Sequence, residues 1–272
     1  MKTCASLCRM TSGRKGQAGA NGALNFAKKG DQGIIDGGKN NMLPELETYF
    51  MSQERSVGLQ KCQYDQFVYL IKRYSYKGTP LQEHMFKEIC PFLGLDYKKL
   101  NEDKDEETGE AGDKHSVQYM TIKNHEIFQQ GSYNIEILQC LGFLLCNHYD
   151  RQSRIDEFWQ LINPEINEEV PIEKVVEILR IFIYIAILLR LKIEKSRNND
   201  DQNQEAIQYL QKLGTSSYSI DDIPDSLVYK LMGMREDQKL ENGGQISYHE
   251  LFQVVNLGRC LTTYDIRISL LL

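Results

Sequence analysis

The sequence predicts an all-α fold built from two pairs of helix-loop-helix units, because one short pattern recurs along the chain. Residues 246–253 repeat residues 122–129, and each stretch has Ile, two intervening residues and then His-Glu-(Ile or Leu)-Phe-Gln. Looser copies begin at Cys62 and Val170. An apolar residue, a few polar positions and then an amphipathic run are typical of a loop that leads into a helix.

The first half of the chain contains the first pair of units. A helix is expected to begin near Pro44, since proline suits the first turn of a helix. The loop after this helix has no carboxylate before Asp65, and the exit helix follows that loop. The next helix is predicted to begin at Pro80 and to end by Gly94. The exit helix of this second unit is then expected to start only at Glu126.

The distance from Gly94 to Glu126 leaves a long second loop. It contains an insertion over residues 101–114 that is rich in Asp and Glu. Acidic, Gly-containing runs of this kind are typical of a solvated excursion. We therefore expect the insertion to lie outside the core.

The second half begins with two helices, predicted over residues 135–145 and 155–162 with a break near residues 147–150. The most apolar run, residues 175–193, contains Glu177, Arg180 and Arg190, and its uninterrupted part is shorter than a bilayer requires. It is therefore predicted to be a buried helix and not a membrane span. A polar linker is predicted over residues 196–204, and one short helix is expected between this linker and the fourth unit.

These repeats resemble the EF-hand superfamily, and most closely its four-unit members of the neuronal calcium sensor, calcineurin B and calaxin type. The resemblance covers roughly residues 43–255. It divides the chain into a basic, Gly-rich arm that is disordered or extended (1–40), a first pair of units (41–130), a second pair with an extra linker helix (131–256) and an apolar C-terminal tail (257–272). It also implies that the apolar residues of paired loops form a short β-ribbon.

The resemblance implies calcium ligands that most of the loops lack. In the third loop, residues 163–174, lysine (Lys174) stands where the closing carboxylate is expected. The fourth loop opens with Lys239, which has the wrong charge for a metal ligand. Its candidate metal ligands are Glu241 and Glu250. We therefore expect no cofactor, with calcium binding through the fourth loop as the alternative.

The N-terminal arm is basic, since its first 30 residues contain no Asp or Glu. Three interpretations remain open for it. It is a disordered tail, an organelle transit peptide or an arm that lies on an acidic surface. The apolar C-terminal tail is expected to dock, first of all in the hydrophobic groove of its own protein.

Several classes of chemistry are not expected. The two His-Glu pairs lack the second histidine of a metallopeptidase motif, because Gln129 and Gln253 occupy that position. Neither a phosphate-binding loop nor a nucleophile elbow occurs. The net charge of −6 argues against nucleic acid as a partner. The seven cysteines are widely spaced and are expected to be reduced thiols.

The sequence therefore favours a non-catalytic structural or adaptor protein with calcium-dead units. Its expected place is a large assembly such as the ciliary axoneme, in the cytoplasm and cytoskeleton, with the mitochondrion as the alternative. Tubulin, or another acidic surface, is the expected partner of the N-terminal arm. The alternative function is a calcium-responsive regulatory subunit that binds Ca²⁺ through the fourth loop.

Overall fold

The computed structural model describes residues 42–75, 80–95, 126–196, 201–213, 219–233 and 244–272, and this part of the chain is mostly helical. The predicted helical class is confirmed at this level. The N-terminal arm (1–40), the acidic insertion (101–114) and most of the fourth loop, including Glu241, lie outside the described residues.

The first part of the fold contains three helices and two short 3₁₀ turns. In chain order these are α1 (Met42–Ser56), a 3₁₀ turn (Leu59–Lys61), α2 (Tyr64–Tyr74), α3 (Glu83–Ile89) and a second 3₁₀ turn (Cys90–Leu93). Gly94 ends the second turn in the left-handed conformation, as predicted for the end of this helical segment. Pro80 directly precedes the short strand β1 (Leu81–Gln82), and helix α3 begins at the next residue, Glu83, three residues after the predicted start.

The helix predicted to begin at Glu126 does not form. Residues Phe128–Gln129 are instead strand β2, which forms a hairpin with β3 (Ser132–Tyr133), and β3 also pairs with β1. The reason is the two-residue turn between the strands, where Gln130 (φ 50°) and Gly131 (φ 80°) both have positive φ and reverse the chain.

The second part begins with two helices at the predicted places, α4 (Ile135–Leu145) and α5 (Arg151–Ile162). Asn134 caps α4, since its Oδ1 accepts a hydrogen bond from the Ile137 amide at 3.1 Å. Gly142 lets α4 lie close to α2. A Cβ atom at this position would come within 2.5 Å of the Phe67 ring.

Strand β4 (Glu169–Pro171) leads into the longest helical stretch among the described residues. Helix α6 (Ile172–Ile183) continues through a π-helical segment (Tyr184–Leu189) into α7 (Arg190–Lys195) without a break. Nearly all of its apolar side chains are buried, so the burial predicted for residues 175–193 is confirmed. Across the residues that the structure describes, no helix has the length and apolar character needed to cross a membrane.

The last elements are α8 (Asp201–Leu213), α9 (Asp225–Met232), β5 (Gln245–Ser247), α10 (Tyr248–Val254), a 3₁₀ turn (Leu257–Arg259) and α11 (Thr263–Leu271). Helix α8 begins at Asp201, so the end of the stretch predicted as a polar linker (196–204) is helical. The C-terminal stretch predicted as an apolar tail forms the 3₁₀ turn and α11.

A short antiparallel ribbon joins β4 and β5. Val170 lies opposite Ile246, and both side chains are buried. These two residues occupy the same place in two copies of the repeated pattern, and their pairing is the contact expected between neighbouring loops. Beneath them the core is continuous, with the Phe143 ring 5.3 Å from Phe182 and 5.8 Å from Phe158.

Candidate functional site

The third loop, between α5 and β4, is held by one buried side chain. Asn163 is only 3% exposed. Its Oδ1 accepts a hydrogen bond from the Asn167 amide at 2.9 Å, and its Nδ2 donates to the Asn167 carbonyl at 2.7 Å. A single carboxamide thus satisfies both backbone groups of Asn167. These two bonds hold the first residue of the loop against its middle.

Lys174 lies at the position where the EF-hand resemblance expects a closing carboxylate. Its Nζ donates to Glu136 and, at 3.0 Å, to Glu177. Burial opposes the charge on Lys174, but these hydrogen bonds more than offset that effect and its pKa is raised. The group stays cationic, and a cation here repels a metal ion.

Glu250 is the one candidate metal ligand that the structure describes, and it belongs to the first turn of α10. Its Oε2 accepts a hydrogen bond from the Ser247 amide at 2.9 Å, and the Ser247 hydroxyl oxygen accepts one from the Glu250 amide at 3.4 Å, which forms a capping box. The Ser247 hydroxyl also donates to the Glu250 Oε2 at 2.8 Å. These bonds, led by the one from the backbone amide, lower the pKa of Glu250. Its carboxylate therefore already has a structural role.

The other metal candidate, Glu241, lies outside the described residues, so the structure does not bring it together with Glu250. Within the described ranges, no three His, Cys, Asp or Glu side chains group closely enough to hold a metal ion. Of the histidines, His84 is exposed. His148 is buried, with Nδ1 against Glu157 and Nε2 2.8 Å from the Phe143 carbonyl oxygen, and it fills a structural place.

The most developed polar site in the described chain lies in the groove that helix α11 occupies. Helix α11 packs against α9, the π-helical segment, α8 and α6. Ile266 and Leu270 enter the core, and Lys230 donates a hydrogen bond to the Leu270 carbonyl at 2.9 Å. The C-terminal segment is therefore docked in a groove of its own protein, in agreement with the expected self-docking.

A completely buried guanidinium, Arg267, anchors this helix. It binds both carboxylate oxygens of Glu47, through Nε at 3.0 Å and a terminal nitrogen at 2.8 Å. Its other terminal nitrogen binds Glu54 at 2.7 Å. Two hydroxyl groups complete the site, since Tyr209 donates to Glu47 and Thr263 donates to Glu54. We call these five residues the Arg267 cluster.

Burial and the neighbouring charges together shift the pKa values of Arg267 and Tyr209 in this cluster. Burial alone would lower the pKa of Arg267, but the carboxylates of Glu54 and Glu47 reverse that effect and raise it. Burial, together with the charge of Glu47, raises the pKa of the Tyr209 hydroxyl. The cluster thus stays a charged arginine between two carboxylates, with neutral hydroxyl donors around it.

A second buried ion pair lies next to the first, within α7. Arg190 pairs with Glu194, which also accepts hydrogen bonds from Tyr49 at 2.9 Å and Asn203 at 2.8 Å. The Phe50 ring lies between the two guanidinium groups, whose central carbons are 5.1 Å (Arg190) and 4.9 Å (Arg267) from the ring centroid. Helix α1 therefore ties α7, α8 and α11 together.

Sequence analysis did not identify the Arg267 cluster, although two signals were available. Arg267 interrupts the apolar residues of the C-terminal stretch, and a charge inside such a stretch needs a buried partner. Glu47 and Glu54 are seven residues apart and therefore lie on one face of α1, the face that also carries Phe50. Sequence spacing alone does not bring positions 47 and 267 together.

Comparison of the chain with protein-family models, with curated proteins and with solved structures gives no match. The function proposed below is therefore argued from the contacts within the chain.

Proposed function

We propose that the protein is a non-catalytic structural or adaptor protein whose EF-hand-like units fold and work without calcium. It would be a component of a larger assembly, such as the ciliary axoneme. The observation that carries this proposal is the set of side-chain contacts in the third loop. Asn163 closes it through two hydrogen bonds, and the ammonium group of Lys174 occupies the place of the closing ligand.

The docking of α11 supports the same proposal. Calcium sensors act by opening a pair of helices so that an apolar groove becomes available to a partner. Here the groove holds α11, whose Arg267 is paired with Glu47 and Glu54 inside the core. Withdrawing this helix would leave buried carboxylates without their cation, which is strongly unfavourable. The arrangement fits a permanently assembled part better than a switch.

A calorimetric calcium titration of the full-length protein tests the proposal. We expect no heat of binding and no change in helicity by circular dichroism. The Glu250→Gln variant should behave in the same way, since it changes only an exposed carboxylate at the end of the fourth loop. Micromolar binding in the wild type that disappears in the variant would establish the calcium-responsive alternative instead.

The proposed partner contact is made by the N-terminal arm, whose basic side chains suit an acidic surface such as that of tubulin. Changing Arg14, Lys15, Lys28 and Lys29 to Gln should weaken sedimentation with microtubules and reduce its dependence on salt. Binding that is unchanged in this variant would remove the arm from the proposal. A matched control changes Lys61, Lys72, Arg73 and Lys212 in the folded part to Gln and should leave sedimentation unaffected.

A further inference from the structure

Two cysteines from distant parts of the chain lie side by side. Cys62 follows the 3₁₀ turn after α1, and Cys146 ends α4. Next to them, Gln63 and Asn147 form a parallel β-bridge. The Asn147 amide donates to the Cys62 carbonyl and the Tyr64 amide donates to the Asn147 carbonyl, both at 2.9 Å. These bonds fix the register of the two segments.

This register suits a covalent link between the two sulfur atoms. Both cysteines have extended backbone (φ −106°, ψ 142° for Cys62; φ −76°, ψ 166° for Cys146). In parallel pairing the residues before each bridged position are also neighbours, and adjacent strands lie about 4.8 Å apart. Disulfides need Cα atoms roughly 4.4 to 6.8 Å apart. The backbone can therefore accept a disulfide without a large movement.

The two thiols differ in character. Interaction with the neighbouring Cys146 side chain lowers the pKa of Cys62, and interaction with Cys62 raises the pKa of Cys146. In the structure the Cys62 thiol donates a hydrogen bond to the Gln63 carbonyl at 3.3 Å. The thiolate is the nucleophilic form of cysteine. Cys62 is thus suited to attack a disulfide, and Cys146 is suited to attack the mixed disulfide that then forms on Cys62.

A cleft of about 430 Å³ between α1, α5 and α11 reaches one member of the pair, Cys146. Cys146 and Asn147 form part of its wall, together with Arg55 and Arg154. Two other cysteines in the described chain differ from this pair. Cys140 is completely buried, and burial holds its pKa well above the usual range. Burial also raises the pKa of Cys260, to about 12.

We propose that Cys62 and Cys146 form a redox-active dithiol, which a small disulfide such as oxidised glutathione converts to a disulfide. The Cys62 thiolate attacks one sulfur of the oxidant, and one glutathione thiolate leaves. The Cys146 thiol then loses its proton and attacks the Cys62 sulfur of the mixed disulfide, which releases the second glutathione. Two electrons pass to the oxidant, and the two protons end on the two glutathione thiols.

The disulfide would connect the loop after α1 to the end of α4. Because it closes a long stretch of chain, it should stabilise the fold by restricting the unfolded state. We expect oxidation to raise the unfolding temperature by roughly 5 to 15 °C.

The test is oxidation of the folded, full-length protein with oxidised glutathione, followed by alkylation of the remaining thiols and peptide mass mapping. We expect a linked pair of peptides carrying Cys62 and Cys146. The Cys146→Ser variant should retain glutathione on Cys62, whereas Cys62→Ser should leave Cys146 alkylated. The matched control Cys140→Ser should form the link like the wild type.

Alkylation of both Cys62 and Cys146 in the oxidised wild type would overturn the proposal. So would a link that uses Cys4 or Cys8 in place of either one. Circular dichroism checks that each variant is folded, and Cys62→Ala replaces Cys62→Ser if the serine disturbs the buried site. The wild-type mapping decides the question without any variant.

Discussion

The two closest copies of the repeated pattern, His-Glu-(Ile or Leu)-Phe-Gln, adopt different structures. In the copy near the C-terminus, Glu250 lies in the first turn of helix α10. In the other copy, Glu126 precedes a turn and Phe128–Gln129 is a strand of a hairpin. Yet the third residue of the pattern, Ile127 or Leu251, is completely buried in both. The pattern predicts which side chain enters the core but not the backbone around it.

The neighbouring residues explain this difference. In the copy at residues 246–253, Ser247 caps the helix that begins there. In the copy at residues 122–129, the following Gln130 and Gly131 reverse the chain. The returning strand pairs with β1, with Tyr133 opposite Leu81. Helix propensity is a weak preference that tertiary pairing overrides. Of these two copies, the one with a capping side chain is the one that becomes a helix.

The largest expected effect comes from the position that the two copies share. Ile127→Ala and Leu251→Ala should each lower the free energy of unfolding by about 2 to 5 kcal/mol, because each removes a buried side chain and leaves a cavity. Urea denaturation measures both variants. Phe92→Ala, at a side chain that is 71% exposed, is the control and should change little. A small loss for either buried residue would show that the copies do not share a core role.

The next largest loss of stability should come from a change that affects only the hairpin copy. Gly131→Ala should lower the free energy of unfolding by about 1 to 2 kcal/mol, because alanine is strained at φ 80°. A Cβ atom there meets nothing within 4 Å, so the loss reports backbone conformation alone. Gly131→Asn is the matched control and should lose less, since asparagine tolerates this conformation. Equal losses in the two variants would contradict this explanation.

A smaller effect should distinguish the helical copy. Ser247→Ala removes the cap of α10 and should lower the free energy of unfolding by about 1 kcal/mol. Ser132→Ala, in the hairpin, removes only an exposed hydrogen bond to the Gln129 carbonyl and is the comparison. Thermal or urea unfolding gives both values. The cap explanation fails if the two substitutions have the same effect.

The smallest effect depends on pH. The pKa of Glu250 is lowered in the folded protein, so its contribution to the cap is present above its usual value of 4.5 and is lost as the pH falls below it. The protection of the Ser247 amide against exchange, measured relative to the intrinsic exchange rate at each pH, should therefore fall under acid conditions. In Glu250→Gln this dependence should disappear, while the amides of the hairpin should not respond in either protein.

Sequence reasoning succeeded where a signal is local. The apolar run that became α6, the π-helical segment and α7 is long and continuous, and its burial could be predicted from composition alone. A ribbon between the apolar residues of paired loops was implied by the resemblance, and Val170 and Ile246 do pair in this way. The helix expected at Glu126 was wrong because a two-residue turn outweighed the repeat.

Of the candidate site, sequence analysis singled out Lys174 but not Asn163, whose carboxamide holds the third loop. The two hydrogen bonds of Asn163 depend on the exact path of the loop. The Arg267 cluster depends on a contact between the two ends of the described fold. Each half of the Arg267 cluster has a local signal, but no short-range pattern pairs positions 47 and 54 with position 267.

The Arg267 cluster also has a consequence for synthesis of the protein on the ribosome. Arg267 is translated 220 residues after Glu47, which is roughly 10 to 45 s later at ordinary rates of elongation. Until then Glu47 and Glu54 lack this cation, and α1 cannot make this contact. A nascent chain that stops before residue 267 therefore has the two carboxylates of α1 without their arginine. The cluster forms only after translation has passed α11.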